Sequence, residues 1–515
     1  DGALMNHFAR QKGLVQQDKV AQLKVAIEPA GETPCAFIEA LTLIAEHLGV
    51  VNFPALPSQA EYTIIWASGV QPEHQTLNTI HAVYGEEGVF LDGTHSNNRS
   101  DPMYETSLAT ICASVVWSEI LRRSECFLPI EVPKVSVSVN VRVNENALHS
   151  NLNNLNVHLE GHNTSSNIRD TDDGSSHRRV LLRLDEDDPI AQQLIQRLRI
   201  DSPHSQITPQ YPAIPLDLPS PTKALSGHIT VVGAGGLGTW CLHNLVGGIK
   251  ESKCASIEFL VFDKDLEVEE HNLNRQVLFT KADVGSSKIL ATRRWLQSQL
   301  ADASIEVAWE LVDSMALDSY SSAEGGLDLG SLLEHDESST TTEMAPLSVE
   351  ETLPLLQTTD LIIGCLDAMR PRVLADLLSA KINQPYINGG VKHFVSEYRE
   401  FAHTNLVERH GPQVAQDRQV FSCQEDGEVP MTSIVFTNAY AGAFQAIAAL
   451  QRLAGRSQST IESTYWNSHT NEVFVTKSSE APVERHSSVQ QLEQALWPKS
   501  SPPSPHSPEE STAGV

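Results

Sequence analysis

Ile229-Thr230-Val231-Val232-Gly233-Ala234-Gly235-Gly236-Leu237-Gly238 reads as an apolar strand that runs into a glycine turn and on into a helix. Glycines in such a turn let the backbone approach a phosphate, and the helix N-terminus favours its negative charge. A second strand over residues 256–262 ends in Asp263, where a carboxylate can bond a ribose hydroxyl. Taken alone, these features mean a nucleotide-binding fold, with NAD-dependent redox chemistry as the default.

Outward from the turn, residues 288–300 have a helical pattern. Strands are expected at 305–312, 361–365 and 385–388, an Ala-rich closing helix at 434–453, and a hairpin over 464–477. Strands alternating with helices predict an α/β, doubly wound parallel sheet over residues 225–480. Residues 313–357 break the pattern: they are rich in Ser, Thr, Asp and Glu and include Ser338-Ser339-Thr340-Thr341-Thr342. Such composition buries too little apolar surface to order itself, which predicts a mobile acidic insertion. Residues 1–126 form another apolar unit, with strands at 23–27 and 62–66 and helices at 37–48 and 108–121. Between the two, residues 127–224 hold a strictly alternating strand (135–143), a polar loop (151–178), and one more strand and helix (179–184 and 189–198). The Ser- and Pro-rich residues 481–515 read as a disordered tail.

Thirty-six basic against sixty-five acidic residues give a formal charge of −29, which repels phosphate backbones and argues against nucleic acid while suiting a basic protein partner. No apolar run approaches the roughly 20 residues of a membrane helix. The opening Asp1-Gly2-Ala3-Leu4-Met5 lacks the basic start and apolar core of a signal peptide, and Met5 reads as the native start. The seven cysteines (Cys35, Cys112, Cys126, Cys241, Cys254, Cys365, Cys423) are scattered without a Cys-x-x-Cys pair. That pattern argues against disulfides and structural zinc and favours a reducing cytoplasm.

The chemistry concentrates after the second strand. Asp263-Lys264-Asp265-Leu266-Glu267-Val268-Glu269-Glu270-His271-Asn272-Leu273-Asn274-Arg275-Gln276 is dense with donors. An NAD site has no use for Asn272, Arg275 and Gln276 together, whereas a triphosphate does, because arginine offers a planar fork of donors. Lys288, thirteen residues beyond Arg275, is a second cation, and Asp367 follows the fourth strand, 361–365, where a carboxylate opposite phosphates can hold Mg²⁺.

These motifs, taken in order and with Arg372 behind Asp367, resemble the ThiF/MoeB/E1 superfamily of adenylating enzymes over residues 227–453. One departure is that residues 263–272 run one longer than usual, which shifts a loop. The resemblance implies attack by a C-terminal glycine carboxylate on the α-phosphate of ATP, giving an acyl-adenylate and pyrophosphate. It implies that Gly233, Gly235, Gly236 and Gly238 form the phosphate turn. Asp263, Asn272, Arg275, Gln276, Lys288 and Asp367 then contact ATP or its Mg²⁺.

Phe8-Ala9-Arg10-Gln11 is similar to the family's opening, but the following turn has become Glu28-Pro29-Ala30-Gly31-Glu32, whose acids would repel phosphate. Residues 1–126 are therefore expected to be a degenerate, inactive copy paired with the active one as a pseudo-dimer, and Arg10 to be the finger that crosses to the partner's ATP. Cys423 stands on the segment where enzymes that form a thioester carry their nucleophile; its alternative is a packed small residue. The expected activity is that of an E1-like enzyme, compact as in bacterial ubiquitin-like antiphage operons. It would adenylate a ubiquitin-like protein, form a thioester on Cys423 and pass it to an E2, with a homodimer allowed. The alternative keeps adenylation without the thioester, on a sulfur-carrier protein or a peptide. A non-catalytic scaffold that binds nucleotide is the reading from another class, and the retained Arg275, Lys288 and Asp367 speak against it.

Overall fold

In a computed structural model of the chain, the described residues are 11, 14–28, 33–54, 57–66, 79–91, 100–128, 136–143, 176–183, 213–300 (apart from 222, 253, 264 and 266), 304–307, 349–402, 404–415, 432–478 and 488–497. They belong to two compact units, one from residues 1–128 and 211–515, the other from 129–210.

The larger unit opens with α1 (Gln17–Gln22), β1 (Val25–Glu28), α2 (Cys35–Leu48), β2 (Tyr62–Trp66), β3 (Thr79–Gly85), β4 (Gly88–Leu91) and α3 (Pro102–Arg123). α3 starts where its sequence says it should: Asp101 caps it by accepting the Met103 amide at 3.1 Å, and Pro102 sits in the first turn, where its missing N–H costs nothing. Every residue from Ser107 to Leu121 is buried, so α3 is a central helix.

The smaller unit holds β5 (Ser136–Val143) and β6 (Ser176–Arg183), antiparallel from Ser136 opposite Arg183 to Val143 opposite Ser176. The alternating strand is thus found, and its partner begins three residues earlier than the sequence indicates.

The larger unit resumes with β7 (Ala213–Pro215), β8 (Leu225–Val232), α4 (Gly236–Lys250), β9 (Cys254–Phe262), α5 (Lys288–Gln299), β10 (Ser304–Val307), α6 (Val349–Leu356), β11 (Leu361–Gly364) and α7 (Met369–Lys381). It ends with β12 (Tyr386–Lys392), β13 (Val395–Phe401), α8 (Leu406–His410), α9 (Val435–Leu453), β14 (Ile461–Asn467), β15 (Glu472–Lys477) and α10 (Val489–Leu496). Eight strands form one sheet in the order β10-β9-β8-β11-β12-β13-β14-β15. The first five run parallel, as strands joined by helical crossovers must, and the last three antiparallel. α9 packs on this sheet beside α4, while α7 packs on β11 and β12 through a core that includes Val232, Leu260, Phe262 and Ile362. The expected parallel α/β sheet is present, extended by an antiparallel edge.

A five-stranded sheet, β1-β2-β3-β4-β7, occupies the other half of the unit. β1, β2 and β3 are parallel, and β4 returns antiparallel. β7 pairs with β4, so residues 213–215, within the stretch 127–224 between the two expected units, belong to this sheet. α2, α3, α4 and α9 pack against one another between the two sheets' strands.

Two expectations need correction. Within the expected disordered tail, α10 folds, and Leu492, Ala495 and Leu496 bury themselves against α7; apolar residues at helical spacing in an otherwise polar stretch form one adhesive stripe. The end of the acidic insertion is also ordered, since α6 buries Leu356 in the same core; residues 308–348 lie outside the described residues.

Candidate functional site

β8 ends at Val232 and the chain turns at Gly233, whose φ of +99° lies in the left-handed region. A Cβ there would also meet the Cys365 carbonyl at 2.6 Å, so glycine is required. The Gly233 amide donates to the Phe262 carbonyl at 2.7 Å and the Cys365 amide to the Val232 carbonyl at 2.8 Å. The ends of β9 and β11 therefore flank the turn. α4 starts at Gly236 with Gly235 as its cap residue and no side chain capping it. Its first-turn N–H groups have no intrahelical acceptor, which suits that end to an anion. Gly238, one turn in, backs onto the Gly233 carbonyl.

Asp263 ties the two strand ends together. Its Oδ2 accepts the Ala234 amide at 2.5 Å and its Oδ1 the Asp265 amide at 2.8 Å. Burial lifts this carboxyl above the usual carboxylate range; Lys288 and the two amides oppose that, while Asp265 adds to it. Lys288, the first residue of α5, is fully buried, with its ammonium 3.7 Å from Asp263 Oδ1 and in close contact with Asp265. Two carboxylates thus already face the cation that the sequence assigns to phosphate, and Asp265 is one that sequence reasoning did not single out.

Residues Glu270–Asn274 form a single tight turn that delivers Asn272 and then Arg275. A Cβ on Gly236 would fall 2.9 Å from Asn438 Oδ1 and 3.1 Å from Arg275 Cγ and Cδ. Arg275 therefore lies across the mouth of α4. Its guanidinium donates to the His271 carbonyl at 3.2 Å and to Asn274 Oδ1 at 3.1 Å. Asn272, Asn274 and Gln276 are buried, and Asn272 Oδ1, Asn274 Nδ2 and Gln276 Oε1 have no hydrogen-bond partner among the described residues. Each such group costs about 1–3 kcal/mol unless something else satisfies it. Three such groups on five consecutive residues, whose Arg275 lies against an uncapped helix end, fit a polar ligand.

Asp367 is exposed, two residues past Cys365 and so just beyond the turn's flank. Arg372 is buried behind it, donating to the Leu366 carbonyl at 2.8 Å and lying 3.7 Å from Glu397. It braces the loop that carries Asp367. Arg10 and Cys423 lie outside the described residues. Among the described cysteines, Cys112 and Cys126 are buried and burial raises their thiols, while the hydrogen bond with Cys365 and burial raise Cys241; none of these is a ready nucleophile. Cys35 is exposed. Among the described residues no group of three or more His, Cys, Asp or Glu is arranged to hold a metal ion, and no helix is long and apolar enough to cross a membrane.

Sequence reasoning also missed Asn438 and Gln445. Asn438 is held by the Ile434 carbonyl at 2.9 Å, and Gln445 donates to the Gly364 carbonyl at 2.8 Å. The available signal was polar residues recurring in the otherwise apolar helix α9.

The sequence profile of the ThiF family matches residues 214–489, more than half of the chain. This chain belongs to the ThiF family. The sulfur carrier protein adenylyltransferase of Thermus thermophilus is 26% identical over 184 residues, 36% of this chain and 52% of that protein. The chain therefore spans about half the length of this curated relative. Among solved structures, Escherichia coli MccB with ATP is similar at 17% identity and a TM-score of 0.31, covering 50% of this chain and 65% of that one. The crystal structure of selenomethionine PaaA is similar at 16% identity and a TM-score of 0.33, covering 49% and 64%.

Proposed function

We propose that this chain binds ATP at the Gly233–Gly238 turn and uses it to adenylate the C-terminal glycine carboxylate of a ubiquitin-like protein. The observation that carries the reading is Arg275 laid across the uncapped start of α4, with polar atoms on its buried neighbours Asn272, Asn274 and Gln276 that have no partner among the described residues. The N–H groups of α4 and the Arg275 guanidinium receive phosphate oxygens. Asp263 is held at the position from which a carboxylate reaches a ribose. Asp367, exposed at the C-terminal end of β11, holds Mg²⁺, which when bound neutralises phosphate charge. Lys288 serves the same charge once Asp265 releases it. A carboxylate oxygen of the substrate attacks the α-phosphorus. The bond from that phosphorus to the bridging oxygen breaks, and pyrophosphate leaves with the electron pair. The protein contributes alignment and charge stabilisation, with no covalent role at this step.

Residues 1–126 act in this reading as the degenerate copy of a pseudo-dimer, bringing Arg10 to the ATP. The support is a repeated order of strands: β1, β2, β3, β4 follow parallel, parallel, antiparallel, as do β8, β11, β12, β13. After α2, Asn52 makes a lone parallel bridge to Lys24 beside β1, where β9 pairs with β8 after α4. Cys423 then attacks the adenylate's acyl carbon, AMP departs, and the thioester passes to an E2, as in bacterial antiphage systems. A second reading stops at the adenylate, with a sulfur-carrier protein as substrate; the Thermus relative's name favours it. The test is exchange of labelled pyrophosphate into ATP in the presence of a glycine-ended ubiquitin-fold protein. Exchange dependent on that protein supports the proposal, and failure to bind ATP at all removes it.

A further inference from the structure

His47 lies in the last turn of α2, in the half of the unit remote in sequence from the candidate site. Its Nδ1 is 2.7 Å from the carbonyl oxygen of Leu273, a contact spanning 226 positions. A carbonyl can only accept, so the ring carries a proton on Nδ1 and donates it. Leu273 sits in the Glu270–Asn274 turn, next to Asn272 and two residues before Arg275. The ring is also edge-on to Trp240, 6.4 Å between centroids, a fully buried residue of the helix that opens at the glycine turn. On its main-chain side, the His47 carbonyl accepts Gln11 Nε2 at 3.2 Å, and Gln11 directly follows Arg10. One residue of the first half therefore touches the segment after Arg10, the helix behind the glycine turn, and the loop that supplies Asn272 and Arg275.

We propose that His47 is a positioning residue: its hydrogen bond to Leu273 fixes the Glu270–Asn274 turn, which carries Asn272, so that Arg275 stays set against Gly236. The backbone bonds that flank that turn are local, Asn272 to the Glu269 carbonyl at 2.9 Å, and Arg275 and Gln276 to the Asn272 carbonyl at 3.1 and 2.9 Å. Local bonds of this kind set the shape of a short turn, while its place against the rest of the fold depends on long-range contacts such as that of His47 with Leu273. The consequence for nucleotide rests on the ATP reading above, but the hold on the loop does not. It also gives the first half a task at the site that needs no glycine turn of its own.

The test uses the full-length chain with His47→Leu, which removes the donor and keeps apolar bulk beside Trp240, and His47→Asn, whose amide N–H replaces Nδ1–H. Hydrogen exchange of peptides covering residues 269–276 in nucleotide-free protein is expected to be roughly 3- to 10-fold faster in His47→Leu and restored in His47→Asn. In pyrophosphate exchange, KM for ATP is expected to rise by about the same factor in His47→Leu with kcat little changed, and to return in His47→Asn. If His47→Leu does not fold, His47→Phe replaces it with the same expectations. Wild-type exchange of residues 269–276 in a folded donorless variant overturns the proposal, as does an Asn variant that behaves like Leu. A wild-type chain that binds no ATP sinks the proposed function, while the hydrogen exchange still judges His47.

Discussion

Asp263, at the end of one strand, accepts the amide hydrogen of Ala234, in the turn after the neighbouring strand, at 2.5 Å. This bond and the Lys288 ammonium at 3.7 Å make one carboxylate the joint between the glycine turn, β9 and α5. The sheet and the candidate site share a component, so damage there should be felt in both.

Asp263→Ala is expected to lower stability by about 2–4 kcal/mol, because it leaves the Ala234 amide without its acceptor and the buried Lys288 with only Asp265. Urea unfolding of the variant checks this. A loss below about 1 kcal/mol would mean that the joint is not structural.

Asp367→Ala should behave differently. Asp367 is exposed, so the fold should tolerate the change to within about 0.5 kcal/mol. Pyrophosphate exchange should fall by roughly 100-fold or more, and the Mg²⁺ concentration needed for half-maximal exchange should rise. Unaltered exchange at limiting Mg²⁺ would remove the metal role from this residue.

Arg10 and Cys423 separate the two proposed steps. Arg10→Ala is expected to cut adenylation by roughly 100-fold, the scale of a transition-state charge contact, with folding unaffected. Cys423→Ala should leave pyrophosphate exchange intact and abolish a reducible adduct with the ubiquitin-like protein on non-reducing gels. An adduct that persists without Cys423 moves the thioester elsewhere. No adduct in the wild-type chain, with exchange intact, favours the sulfur-carrier reading.

His243 predicts a pH dependence of stability. It lies half-buried on α4 between Trp240 (5.8 Å) and Trp295 (6.5 Å). Burial, then Lys250 and His47, push its pKa down from 6.5 to about 4. Between those values the unfolded chain takes up a proton that the native ring refuses, so stability falls as pH drops through that window. At about 1.4 kcal/mol per pH unit the loss is at most about 3 kcal/mol, less for the solvent that still reaches the ring. His243→Phe should flatten unfolding free energy between pH 6.5 and 4.5, and an unchanged slope would assign the dependence to other groups.

Much of this protein was legible along the chain. The step from Val232 through Gly233 to Leu237 announces a strand, a left-handed turn and a helix, because only glycine accepts the φ at Gly233 and apolar periodicity fixes what lies on either side. The donor-rich run ending in Arg275 and Gln276 was likewise visible as a cluster of polar residue types. Less legible was β13, whose Val395–Phe401 mixes charge with apolar residues as an antiparallel strand with one polar face does. α10 was hidden because three buried residues in a polar tail, Leu492, Ala495 and Leu496, gain meaning only from the groove they fill on α7.

The sequence by itself determined the parallel sheet, the glycine turn and the residue types gathered at its mouth, since these follow from local conformation and side-chain chemistry. Only the tertiary structure decided that Lys288 stands between Asp263 and Asp265, that Asn438 closes on Gly236, and that His47 reaches Leu273. Those pairings join separate elements, and packing of the helices and strands, not spacing along the sequence, brings them into contact.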